Sequence, residues 1–266
     1  MGGLQIRRGL VGAASLFLIS MSWMAGSAQA ELSQKGGLFV RFDGGISPKA
    51  LSRQTLEPIA ARIEGTVKVP PGQDPPSLSQ IRVALNRGAR LDARGLPTCR
   101  AGQIATSSSS EALATCGPAL IGSGGIVAQT NFPDQSPYLL RGNVTLFNGV
   151  ERGRPVILAH MYQSSPAPIT NIVTFEIHRS GGTFGTVITA TLPPSLEHGG
   201  YLKSIFLNLQ RTYVFHGQKR SYLSAGCSAP AGFSVATFPF AQASMTFDDG
   251  RTLSSTLYRS CRVRKS

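Results

Sequence analysis

The chain has 266 residues, with 26 basic and 13 acidic side chains, a net charge of +13 and only 15% charged residues. Soluble domains carry roughly a quarter charged residues, so the charge here is both sparse and one-sided. An apolar share of 41% excludes a disordered tail, and 30 Gly with 17 Pro predict a fold dense in turns.

Residues 1–30 read as an export signal. Arg7 and Arg8 form a positive n-region, and Leu10 to Met24 is apolar apart from small residues and serines. Ser27-Ala28-Gln29-Ala30 carries the small-x-small pattern of a processing site, with cleavage expected after Ala30. The apolar run is shorter than the roughly 20 residues of a spanning helix. Loss of the signal removes Arg7, Arg8 and Trp23, the only tryptophan, leaving 24 basic and 13 acidic residues, a charge of +11. No later stretch reaches spanning length. The expectation is a secreted, soluble chain forming a single domain over 31–266.

That domain reads as all-β. Ile63, Gly65, Val67 and Val69 alternate with Glu64, Thr66 and Lys68, as on a half-buried strand, and Pro70-Pro71-Gly72 with Pro75-Pro76 stop it. Ile81, Val83 and Leu85 alternate again. From about 91 to 125 the texture is irregular, with Gly95-Leu96-Pro97, four serines at 107–110 and Gly122-Ser123-Gly124-Gly125 read as a plain turn. A short helix near Glu111–Cys116 is weakly signalled. Beyond Leu139 come hairpins: 141–148 turning at Asn148-Gly149 into 155–162, and 170–179 turning at Ser180-Gly181-Gly182 into 183–192. Leu202 to Phe215 reads as one long strand turning near Gly217, and 243–247 turns through Asp248-Asp249-Gly250 into 252–261. Turns at this frequency, without a sustained 3.6-residue period, predict an antiparallel β-sandwich of jelly-roll type.

Four cysteines, Cys99, Cys116, Cys227 and Cys261, lie in the exported part. An even count predicts two disulfides. Three connectivities are open, and the local pairs Cys99–Cys116 and Cys227–Cys261 are favoured. A zinc site or reactive thiol fits poorly, because there is no C-x-x-C and no histidine near any of the four.

Catalytic patterns are scarce. His160, His178, His198 and His216 show no ligand spacing. If 155–162 and 170–178 form a hairpin, His160 falls opposite Ile172 and His178 lies about 20 Å further along. Glu176 and His178 share a strand face, which a solvated surface produces as readily as an acid–base pair. No G-x-S-x-G elbow exists: Ser123 has Ile121 where glycine is needed, and Gly226-Cys227-Ser228-Ala229-Pro230 fails at its last position. Asp43, Asp134, Asp248 and Asp249 read as turn residues, leaving Glu64, Glu151, Glu176 and Glu197 without a spacing that selects a pair. The six tyrosines suit strand packing more than a sugar platform. No catalytic, cofactor or metal residue is therefore assigned.

The basic residues carry the remaining signal. Arg82, Arg87, Arg90, Arg94 and Arg100 share nineteen residues with the single acid Asp92. Lys219-Arg220 sits at an expected turn, and Arg259, Arg262, Arg264 and Lys265 close the chain. These suit either a solvated surface or attraction to an anionic wall polymer or other exterior polyanion. Without aromatic interleaving they do not indicate specific nucleic-acid recognition.

Gly95-Leu96-Pro97-Thr98-Cys99, Cys116-Gly117-Pro118-Ala119, Phe147-Asn148-Gly149 and Asp249-Gly250 followed by Cys261 resemble a set of secreted, four-cysteine, β-rich proteins of soil actinobacteria. The resemblance spans most of the exported part. It implies export and disulfides and carries no activity or catalytic residue. The functional expectation is a non-catalytic binding or structural protein of the cell envelope or exterior. The alternative is an extracellular hydrolase acting on a glycan or ester.

Overall fold

The computed structural model describes residues 30–130, 138–165, 167–192 and 201–264. The expected signal, and with it Arg7, Arg8 and Trp23, lies outside them, as do Asp134, Glu197, His198 and Lys265. The chain is all-β, and its ladders are antiparallel apart from a short contact of Ala50-Leu51 with Arg262-Val263 and an isolated Cys99–Gly149 bridge.

Strands β1 (Glu31–Lys35), β2 (Leu38–Ser47), β3 (Ala50–Leu51), β4 (Glu57–Pro58) and β5 (Ala60–Lys68) precede the proline-rich break. β6 (Leu78–Asn86) and β7 (Ala89–Leu91) follow it. The stretch read as irregular holds α1 (Ala101–Ile104), α2 (Ser109–Cys116) and a 3₁₀ turn at Gly117–Ala119. α2 starts where the sequence supplies a capping box: Ser108 Oγ accepts from the Glu111 N–H, and the Glu111 carboxylate accepts from the Ser108 N–H. Then come β8 (Leu120–Thr130), β9 (Tyr138–Glu151), β10 (Arg154–Gln163), β11 (Ile169–Arg179) and β12 (Phe184–Thr191). The last group is β13 (Tyr201–Leu209), β14 (Thr212–Phe215), β15 (Gln218–Ser221), β16 (Leu223–Ala225), β17 (Val235–Phe247) and β18 (Thr252–Val263).

Thirteen strands form one sheet in the order β1-β2-β5-β13-β8-β9-β10-β11-β12-β6-β17-β18-β3. The sandwich-like packing comes from the curl of this single sheet, which brings β18 back beside β1 and β2. Alternating residues from nearly every strand meet in one core, among them Leu38, Val40 and Phe42 of β2, Ile121 of β8, Leu146 of β9 and Met245 and Phe247 of β17. Packing is tight at Gly65, where a Cβ would lie 3.0 Å from the Met245 methyl.

The two edges of the sheet meet at Arg259, which points inward from β18 with 7% exposure. Its guanidinium donates to the Gly44 carbonyl, to Asp43 Oδ1 at 2.9 Å and to the Tyr258 carbonyl at 2.6 Å. Asp43 also accepts from the Gly44 N–H. This clasp corrects the placement of Arg259 in a basic C-terminal surface. A charge can be buried here because donors and carboxylate satisfy one another.

Both favoured disulfides are present. Cys99–Cys116 closes the helical segment, and Cys227–Cys261 ties the end of β18 to the loop after β16. Chain-entropy reasoning assigns them about 3 and 4 kcal/mol. The helical segment covers the outer face of β9 and β10, where Phe147, Val156 and Leu158 form a second small core with Cys99, Ile104, Ala112 and Cys116. β9 and β10 are thus covered on both faces.

Two turn assignments and one strand assignment change. Asn148-Gly149 is not a turn: β9 runs on to Glu151, and the chain reverses at Arg152-Gly153, both at positive φ (49° and 76°). Asn148 is buried and donates to the Pro97 carbonyl at 2.9 Å, while a Cβ at Gly149 would press on Leu158. Gly122-Ser123-Gly124-Gly125 lies within β8, where side chains at 122 and 124 would run into the carbonyls of Asn208 and Phe206. The run from Leu202 to Phe215 breaks after Leu209, and β14 leaves to pair with β15 as a separate hairpin turning at His216-Gly217. Among the described residues no helix is long and apolar enough to cross a membrane.

Arg259→Met removes the buried cation of the seam and leaves Asp43 with only the exposed Arg41, 3.8 Å away. The expected loss is about 3 kcal/mol of unfolding free energy. Denaturant titration of the variant and of Arg259→Lys measures it, and an unchanged midpoint for Arg259→Met would show that the seam is closed by other contacts.

Candidate functional site

β7 leads into the loop that carries Asp92, and there two separate stretches of basic sequence meet. Asp92 takes a bidentate contact from Arg94, with Nε to Oδ1 at 2.9 Å and Nη2 to Oδ2 at 2.7 Å. Arg220, arriving on β15, reaches the same Oδ2 at 3.3 Å. Arg90 adds a longer-range attraction. The Arg94 hydrogen bond, with these charges, holds the Asp92 carboxyl down at about 2 against the opposing effect of burial.

The β14–β15 hairpin is held over this loop by aromatic contacts. The Tyr213 hydroxyl lies 3.0 Å from the carbonyls of both Asp92 and Arg94, and burial pushes its ionisation upward. The Phe215 ring occupies the space that a side chain at Gly95 would need, and the Arg220 guanidinium lies 5.6 Å from that ring's centroid. Lys219 pairs across the hairpin with Val214, and both are exposed. The result is a basic ridge in which Arg94 and Arg220 share one carboxylate, with Arg90 near enough to be felt but not paired.

Of the five arginines singled out by sequence, the structure brings Arg90 and Arg94 together at Asp92. Arg82 lies on β6 opposite Thr189 and Ser244, half-buried. Arg87 stands at the β6–β7 turn, and Arg100 precedes α1 beside Glu151 and Arg152. Arg82, Arg87, Arg90 and Arg100 form no ion pair among the described residues. Arg264 pairs with Glu57 at 3.1 Å. The contribution of Lys219 and Arg220 was visible only as a basic turn, because nothing in sequence spacing places that turn against residue 92.

The histidines are dispersed. His160 is fully buried opposite Ile172, as the hairpin register predicts, with Nε2 2.9 Å from the Ser107 carbonyl. His178 and Glu176 pair at 3.1 Å on an exposed face, and His216 packs on Phe215 at the hairpin turn. Among the described residues no three of His, Cys, Asp and Glu are grouped closely enough to hold a metal ion. One carboxylate pair does face across strands: Asp43 and Glu64 are register partners on β2 and β5, lining a groove of about 510 Å³ with Asn208. Asp43 holds Arg259, and Glu64 pairs with Arg62.

No protein-family model, no curated protein and no solved structure matches the chain. The functional reading therefore rests on this geometry alone.

Because Asp92 ionises more readily in the fold than in the unfolded chain, its pairing stabilises above about pH 4 and is lost as pH falls towards 2. Arg94 is 60% exposed, so solvent screening limits the effect to about 1 kcal/mol. Unfolding midpoints compared between pH 5 and pH 2 should drop less for Asp92→Asn than for the parent. An identical drop in both would mean that the pairing contributes no stability.

Proposed function

We propose that the chain is an exported, non-catalytic binding or structural protein of the cell exterior that associates with anionic polymer through its arginine surface. One observation carries the reading: four of the five arginines between 82 and 100 form no ion pair among the described residues. At the ridge, two guanidiniums share a single carboxylate and Arg90 has no ion pair among the described residues, leaving excess positive charge beside the exposed Lys219. Such a surface suits a repeating phosphate or carboxylate polymer, which it attracts by charge without reading sequence. The signal-like segment and two disulfides support an oxidising exterior compartment. The binding requires no cofactor.

Retention on an immobilised glycerol-phosphate polymer should weaken steeply with salt. Replacing both Arg90 and Lys219 with glutamine should lower the log–log salt slope by about 1.5. Absence of retention at about 50 mM salt, or an unchanged slope in the double variant, rejects the reading.

A second reading, hydrolysis of an extracellular glycan, rests on Asp43 and Glu64. Cross-strand partners place Cβ atoms about 5 Å apart, compatible with the roughly 5 Å carboxyl spacing of retaining glycosidases. Turnover of a chromogenic glycoside that falls more than about 100-fold in Glu64→Gln supports it. Turnover untouched by that change removes it.

A further inference from the structure

A second feature is a strand edge with no pairing neighbour among the described residues. Over Val235–Pro239, β17 pairs only with β18, whereas from Ala241 onward it pairs with β6 as well. A register shift between Pro239 and Ala241 separates the two parts. The Val263 N–H donates to the Ser234 carbonyl, which fixes the phase of the ladder. In that phase Ala236 and Phe238 exchange hydrogen bonds with β18, and the N–H and C=O groups of Val235 and Thr237 point away, towards the side where β6 would lie. The Pro239 carbonyl confirms the phase, since it points to the β6 side and accepts from Asn86 Nδ2 at 2.8 Å.

β6 has already turned off there, and the space it leaves is a groove of about 670 Å³. Ala236, Phe238 and Phe240 line one wall, and the β6–β7 and β11–β12 turns form the other. Arg87 stands on that second wall, and among the described residues it has no ion pair and no Asp or Glu lines the groove. Arg262, the register partner of Val235, is also exposed and unpaired among the described residues. Just before the strand, Phe233 is 64% exposed and Val235 follows at 47%. Natural proteins usually shield an apolar edge of this kind, because its free backbone groups template another strand.

We propose that this edge binds an extended peptide segment bearing a carboxylate, added as a strand alongside Val235–Phe238. The edge is about 13 Å long, enough for four peptide residues in register. Backbone groups of the peptide pair with Val235 and Thr237, one of its side chains enters the groove against Phe238 and Phe240, and its carboxylate meets Arg87. Pro239 ends the register, since it offers no N–H. A peptide, rather than a compact ligand, is favoured because the open groups alternate with strand spacing. Its negative charge is favoured because Arg87 in the groove and Arg262 opposite Val235 have no ion pair among the described residues.

The probe is a fluorescein-labelled hexapeptide of alternating valine and threonine ending in glutamate, titrated by anisotropy against the full chain. Thr237→Pro deletes one outward N–H and leaves the β18 ladder untouched, so affinity should fall about tenfold. Arg87→Gln should weaken the acidic peptide about fivefold and leave its glutamine-ended counterpart unchanged. Amide exchange at Val235 and Thr237 in the unaltered protein should be fast without peptide and slow with it, which tests the edge without any substitution. Equal binding by Thr237→Pro, or no added protection at those two amides, overturns the proposal. Self-association that Thr237→Pro abolishes also overturns it, giving the edge to a second copy of the chain. Neither Thr237 nor Arg87 is altered in the polyanion experiment, so the two readings fail separately.

Discussion

Everything inside this fold depends on the seam that Arg259 holds. A single sheet of thirteen strands has two edges, and its inner face stays dry only if they meet. β18 and β2 do not join by a ladder. The Arg259 guanidinium bridges them, its donors reaching the Gly44 and Tyr258 carbonyls and the Asp43 carboxylate, and Arg251 adds a donor to the Lys35 carbonyl at the end of β1. Glycine at 44 serves the other flank of β2, where a Cβ would strike the Arg62 carbonyl of β5. Apolar burial supplies the driving force for the curl, and the buried ion pair sets which strand faces which.

Much of the architecture was legible because hairpins are local. The β10–β11 register, with His160 opposite Ile172, followed from the spacing of one turn, and so did the Asp248-Asp249-Gly250 reversal. Nearness in sequence also favoured the disulfide pairs that form. What misled were residues whose role is set by a distant partner. Asn148-Gly149 has turn chemistry, but its amide is needed at Pro97 and its missing side chain at Leu158. The glycines at 122, 124 and 125 are small because strands crowd them. Arg259 carries the same charge as its surface neighbours, and only the curl of the sheet reveals its inward direction.

Site features divide the same way. The run from Arg82 to Arg100 looks like one patch in sequence, yet strand alternation and three changes of element distribute it over several surfaces. Its denser part is completed by Lys219 and Arg220, more than a hundred positions later, through a hairpin seated on Gly95. The open edge of β17 had a visible sign in Pro239, since proline inside a strand marks an edge or a bulge. Which side lay open depended on where β6 ends, and no local pattern encodes that.

The seam has a kinetic side as well. Asp43 and Arg259 are 216 positions apart, so the last contact to form joins one of the first strands to the last. Loop-closure entropy rises only slowly with length, yet contacts of this range come late and slow the approach to the native state. A chain delivered N-terminus first would pair β2 with β1 and β5 early, while the part of β2 beyond Phe42, which β1 does not reach, waits for β18. During that interval the protein is a half-rolled sheet prone to pairing with its neighbours, and its survival rests on how quickly the remaining strands follow.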